Sequence, residues 1–226
     1  MNMKTIKVEK DIDTFFGHII YFPEDQTKDI PLLVYLHGAG ERGTNLEHLE
    51  RHGIPQVVKT GREIDAVILC PQCPAGYVWN NVVRELKMII DKIADIYQIM
   101  KDRICLTGSS MGGYGTWEMG LTYPNYFSAI GPVCGGGMAW RSVVLAKTPV
   151  YAVHGDRDEV VLPVNSEMMI EQIKNANGHV KYLLLTGYGH NDGIYEAYNH
   201  TDLIDWLLVQ RRTDFSIVPD VCSEYF

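Results

Sequence analysis

The chain has 226 residues, 46% hydrophobic and 21% charged, a composition that excludes a fibrous or disordered protein and a length that suits one domain spanning residues 1–226. With 20 basic against 28 acidic residues its formal charge is −8, so a phosphate backbone or an anionic membrane surface would repel it, and nucleic acid is not an expected partner. No run approaches the roughly 18 apolar residues of a membrane span.

Met1 to Lys7 lacks the apolar core and small-residue cleavage site of a secretory signal, so a cytoplasmic location is expected. Five cysteines, an odd number, argue against a disulfide framework. Cys70-Pro71-Gln72-Cys73 lacks the second pair that would complete a zinc site, and no metal is expected.

Lys4 to Lys10 and Gly17 to Phe22 read as two strands of a hairpin, with Asp11 to Phe16 between them. Pro23 to Asp29 is a polar loop. Pro31 to Leu36 is continuously apolar, as central strands buried on both faces are. Leu46 to His52 and Ile54 to Thr60 read as short helices, and Ala66 to Cys70 as another apolar strand stopped by Pro71. Apolar residues then recur at Val82, Leu86, Ile89, Ile90, Ile93, Ile96 and Tyr97, steps of three and four that mark an amphipathic helix. The strand ending near Thr107 follows. Further strands are expected over Phe127–Val133, Pro149–Val153 and Val180–Leu185, with helices at Met138–Ala146, Ser166–Ala176 and Asp202–Arg211. Strands alternating with helices imply βαβ units and a mostly parallel sheet of about eight strands covered on both faces. The tail from Thr213 to Phe226 is apolar enough either to pack back on the body or to contact a second subunit in a homo-oligomer.

Gly108-Ser109-Ser110-Met111-Gly112 lies between a strand and a helix start. A Gly-x-Ser-x-Gly turn in that setting is a nucleophile elbow, with Ser110 at its apex and glycines where helix and strand come close. Serine needs a base, and the base needs a third group to hold its tautomer. The order Ser, Asp, His is met by Ser110, Asp158 and His190, each after a different strand. Asp156 is the alternative acid, less favoured because it lies two residues past its strand. Asp192 reads as a loop carboxylate, and His37 and His154 as rings packed at strand ends. The amide of Met111, directly after the nucleophile, suits an oxyanion hole. His48 and His52, at i and i+4, lack the His-Glu-x-x-His order of a zinc site and read as a solvated face. Gly38, Gly40 and Gly43 approximate a dinucleotide fingerprint, but the next strand ends in Cys70 and Pro71 rather than an acid. No cofactor is expected.

These segments resemble the α/β-hydrolases, in particular the small esterases of the carboxylesterase/phospholipase and dienelactone-hydrolase-like group. The resemblance rests on Leu36-His37-Gly38-Ala39-Gly40-Glu41-Arg42-Gly43, the Ser110 elbow, His154-Gly155-Asp156-Arg157-Asp158 and Gly187-Tyr188-Gly189-His190, and runs from about Phe15 to Arg212. It implies Asp158 as the acid and Ala39 as the second oxyanion donor, with Gly38 as the fallback. It also implies a serine esterase cleaving a small-molecule carboxylic ester through an acyl-enzyme. A thioesterase, lysophospholipase or peptidase uses the same triad, and a non-catalytic ligand-binding relative is the alternative outside the enzymes. Only about 15 residues separate Val133 from Pro149, too few for a large cap domain. Tyr77, Trp79 and Trp140, with Gly38, are the candidate substrate-binding residues.

Overall fold

The computed structural model describes residues 3–11, 14–24 and 29–219. Residues 12 and 13 of the first connection, 25–28 of the polar loop and 220–226 of the tail lie outside them.

β3 (Leu32–Leu36) is buried along its whole length. It pairs in parallel with β4 (Val67–Pro71) on one side and β5 (Ile104–Ser109) on the other. β6 (Ala129–Val133), β7 (Val150–Gly155) and β8 (Val180–Leu185) continue the parallel run beyond β5. On the other flank β2 (His18–Phe22) pairs antiparallel with β4, and β1 (Lys4–Val8) antiparallel with β2, as the hairpin pattern predicts. The eight strands lie in the order β1-β2-β4-β3-β5-β6-β7-β8, with β1 and β8 as open edges.

Period-two side-chain alternation divides the core into two layers. Leu32, Val34 and Leu36 face one layer, where Leu86 and Ile90 of α2 (Val83–Ile96), Trp117 of α3 (Met111–Thr122) and Met169 and Ile173 of α4 (Val164–Asn175) cover them. Leu33 and Tyr35 face the other, covered by Ile54 and Val57 of α1 (Gly53–Lys59), Tyr198 of α5 (His190–Asn199) and Leu203 and Leu207 of α6 (Leu203–Val209).

The strand expectations hold to within a few residues. Two segments expected as helices, Leu46–Arg51 and Ala139–Lys147, adopt the tighter 3-10 form. The second connects β6 to β7 and is seated on α4 by the Ser142 hydroxyl, which bonds the Ala139 and Met169 carbonyls. The sequence pattern does not predict α5. Its Gly193 and the polar residues Asn191 and Asp192 read as loop, and its apolar stripe of Ile194, Ala197 and Tyr198 is too short to announce a helix. The tail does return toward the body at Phe215, whose carbonyl accepts from Asn125, and at Asp214, which pairs with Lys147.

α3 begins almost in contact with β3. A Cβ on Gly112 would lie 1.9 Å from the Leu36 carbonyl oxygen and 2.8 Å from that of His37. Gly112→Ala must therefore push helix from strand, and it is expected to cost about 2–3 kcal/mol, the upper part of the range for an overpacked core. Urea unfolding measures this; a variant within about 0.5 kcal/mol of the parent would contradict so close an approach.

Candidate active site

Because β3 and β5 to β8 run in parallel, their carboxyl ends open on one edge of the sheet, where ligands of such folds gather. Ser110 follows β5 with φ 55° and ψ −117°, a conformation that L residues seldom adopt. Its amide donates to the Val133 carbonyl at 2.9 Å and its carbonyl accepts from Tyr114 at 3.0 Å, so both sides of the peptide hold the turn. The neighbouring Ser109 is buried, and its hydroxyl is engaged with Tyr35 at 3.1 Å. Ser110 alone of the pair presents its hydroxyl to the edge.

His190 opens α5, just beyond the turn at Gly187, where φ is 89°. Its Nε2 stands 2.9 Å from Ser110 Oγ and its Nδ1 2.6 Å from Asp158 Oδ2. An ionised carboxylate only accepts, so the ring proton sits on Nδ1 and leaves the Nε2 lone pair for the serine hydroxyl. Asp158 is 2% exposed, and its other oxygen accepts from the amides of Val160 and Val161 at 2.9 and 2.8 Å. Burial alone would raise its carboxyl, but the bond from His190 and the two amides outweigh burial and hold it below its ordinary value of 3.8. Asp156 does other work: its carboxylate braces the last turn by accepting from the Gly187 amide at 2.7 Å. Asp192 lies in the first turn of α5 rather than in a loop.

His37 and His154 occupy the strand ends. His37 Nε2 accepts from the Cys73 amide at 2.9 Å and its Nδ1 donates to the Gly38 carbonyl at 2.5 Å. His154 spans the Ser166 hydroxyl and the Val161 carbonyl, each at 2.8 Å, and burial keeps its pKa down. Cys134, His154 and Asp158 bring ligand atoms within 4.8 Å of one another, a grouping that could hold a cation. Both nitrogens of His154 and the facing carboxylate oxygen are already engaged, and burial raises the Cys134 thiol well above its ordinary value. The set is better explained by its own hydrogen bonds.

Met111 is the first residue of α3, where an amide has no partner one turn back within the helix. Ala39 likewise opens the 3-10 turn Ala39–Glu41, behind Gly38 in extended conformation. A Cβ on Gly38 would stand 3.7 Å from Ser110 Cβ, so this loop passes directly over the serine. Gly38, Ala39, Ser110 and His190 line a cavity of about 250 Å³, which also touches Gly40, Glu41, His52, Ser109, Asn191 and Ile194.

Three of the candidate substrate residues lie elsewhere. Trp79 is fully buried, donating its indole N–H to the His37 carbonyl at 2.9 Å and standing edge-on to that ring, so it supports the loop from beneath. Tyr77 is half exposed and packs edge-on against Phe15. Trp140 is exposed on the Ala139–Lys147 segment. Neither is among the cavity's lining residues. Sequence reasoning missed Glu41, His52, Asn191 and Ile194. His52 reads in the sequence as a solvated face, and Asn191 and Ile194 belong to α5, which the sequence pattern does not predict; only Glu41, within the Leu36–Gly43 motif, carries a signal.

No family model matches the chain. It is 26% identical over 147 residues to a bifunctional acetylxylan esterase/xylanase of Neocallimastix patriciarum, a match covering 63% of this chain and 21% of that protein. It is 24% identical to poly(3-hydroxyalkanoate) depolymerase C of Paucimonas lemoignei, across 84% of this chain and 55% of the relative. The chain thus spans between a fifth and just over half of the curated relatives it matches. Among solved structures, a thermostable esterase superposes with TM-score 0.78 at 28% identity, covering 93% of this chain and 64% of the other. A feruloyl esterase module from Clostridium thermocellum shares the fold at TM-score 0.71 and 15% identity, covering 92% and 89%. The mostly parallel eight-stranded sheet and its helical cover form the α/β-hydrolase fold. Both of these solved structures are esterases, and no helix among the described residues is long and apolar enough to cross a membrane.

The folded chain favours ionised Asp158. That contribution to stability is complete above the ordinary value of 3.8, declines as pH falls below it, and is gone beneath the folded pKa. Asp158→Asn is therefore expected to lose stability at neutral pH and to lose less on further acidification than the parent. Urea titrations at neutral pH and near pH 3 check this; parallel losses in the two proteins would assign the acid sensitivity to other carboxylates.

Proposed function

We propose that the chain is a serine hydrolase that cleaves carboxylic esters through an acyl-enzyme. The observation that carries this reading is the unbroken series Asp158 Oδ2, His190 Nδ1 and Nε2, Ser110 Oγ, at 2.6 and 2.9 Å, opening on a cavity beside the Gly38-Ala39 loop. Ser110 attacks the ester carbonyl while His190 Nε2 takes its proton. Asp158, already ionised, stabilises the imidazolium that forms. The developing oxyanion meets the amides of Met111 and Ala39 at two helix starts, donors oriented before the reaction begins. The imidazolium protonates the departing alcohol, and a water activated by the same ring releases the acid.

The relatives' names supply the chemical range: acetyl groups on xylan, feruloyl esters and poly(3-hydroxyalkanoate). A cavity of about 250 Å³ with mixed polar walls supports a short acyl group among these. The proposed substrates are small-molecule esters, and these steps call for no cofactor.

Ser110→Ala is expected to lower kcat/KM for p-nitrophenyl acetate by roughly 10⁴-fold or more, and Asp158→Asn by roughly 10³–10⁴-fold, with circular dichroism unchanged. A fluorophosphonate should label Ser110 in the parent and nothing in Ser110→Ala. Activity surviving in Ser110→Ala would refute the assignment, and an unlabelled parent would favour a ligand-binding relative that has lost catalysis.

A further inference from the structure

The same cavity contains a charged group that the relay leaves unused. Glu41 ends the turn Ala39–Glu41, is 6% exposed, and lines the cavity with Ser110. A Cβ on Gly38 would lie 3.3 Å from Glu41 Oε2 and 3.7 Å from Ser110 Cβ, so carboxylate and serine flank one glycine. Carboxylates withdrawn from water require donors. The nearest ring nitrogens, His37 Nδ1 and His52 Nε2, each stand 3.7 Å away, beyond good hydrogen-bond length. His37 is committed elsewhere, with its proton on the Gly38 carbonyl and its lone pair on the Cys73 amide. His52 sits on the rim with its side chain 59% exposed. Burial would raise the Glu41 carboxyl, yet the nearby His52 ring and its own amide hold it below the ordinary 4.5, so it is ionised at neutral pH.

Glu41 is therefore a charged acceptor with spare capacity, beside the point of attack. As a lining residue of the cavity, it can accept from a donor brought by the substrate. A quaternary ammonium group is a poor fit, because no Phe, Tyr or Trp is among the cavity's lining residues. An anionic substrate would be repelled. Hydroxyl groups fit, since Asn191 and His52 can bond their remaining donors and acceptors.

We propose that Glu41, with His52 at the rim, accepts hydrogen bonds from hydroxyl groups next to the scissile bond and selects esters of polyhydroxylated alcohols over esters of apolar ones. Glu41 is a specificity-determining residue, and its role rests on the reading of Ser110 as the nucleophile.

The test compares kcat/KM for a methyl O-acetyl-xyloside and for cyclohexyl acetate, which presents a ring without hydroxyls. The parent should favour the sugar ester, and Glu41→Gln should lower that preference at least about tenfold, mainly through KM for the sugar. Glu41→Asp keeps the charge and should fall between the two; it also serves if the glutamine variant does not fold. A preference that moves less than about twofold, whether both rates drop together or neither drops, would overturn the assignment. Calorimetry on Ser110→Ala separates this from failure of the hydrolase reading, because it needs no turnover. Adding Glu41→Gln should raise Kd for the acetylated xyloside about tenfold. An unchanged Kd, or no binding to Ser110→Ala, overturns the role of Glu41, whereas absent turnover and labelling in the parent overturn the role of Ser110.

Discussion

The meeting of two backbones, the end of β3 and the first turn of α3, is the constraint on which the rest of the site depends. With Gly112 against the Leu36 carbonyl and Gly108 against the Gly112 carbonyl, strand and helix touch without a side chain between them. The reversal from β5 into α3 must then be completed in one residue, which places Ser110 at positive φ. That conformation aims Oγ out of the sheet and leaves the Met111 amide at the helix start. The same contact sets the distance between the serine and the Gly38-Ala39 loop, because that loop grows from β3 itself.

Strain at Ser110 and burial of Asp158 both oppose folding locally, and each persists because its surroundings are over-determined. Asp158 is separated from His190 by 32 positions and Ser110 from His190 by 80. Parallel pairing of β5, β6, β7 and β8 brings these distant positions to one edge, and the Asp156–Gly187 bond ties the loops after β7 and β8 together. That bond fixes the two loops relative to each other, close to the 2.6 Å bond between Asp158 and His190.

The layered sheet and the elements around Ser110 were legible in the sequence because continuous apolar runs such as Leu32–Leu36 and Val67–Pro71 end at a proline or just before a glycine-rich turn. The candidate triad could be read because each member follows its own strand, so chain order and topology carry the same information. The walls of the cavity could not. α5 hides behind Gly193 and polar Asn191, and its apolar stripe is comparable in length to a turn. Aromatic residues drew attention as substrate contacts, but Trp79 fills the layer beneath the loop, where its size stabilises packing rather than recognition. Glu41 lies within the Leu36–Gly43 motif, but its role is not legible there, since only three-dimensional burial distinguishes a cavity carboxylate from a surface one.

The open edges of the sheet carry a different consequence. β1 is mostly exposed, and a strand with unpaired N–H and C=O groups is a template for edge-to-edge assembly. Lys4 and Lys7 stand on that strand, and Lys181 stands on β8 at the opposite edge. Two copies pairing through the same edge would bring these like charges close to one another. Ion pairs from Lys7 to Glu50 and from Lys181 to Asp202 keep the charges anchored near the edges. Resistance to fibre-like stacking is thus written into the two outermost strands, far from the residues proposed to act on a substrate.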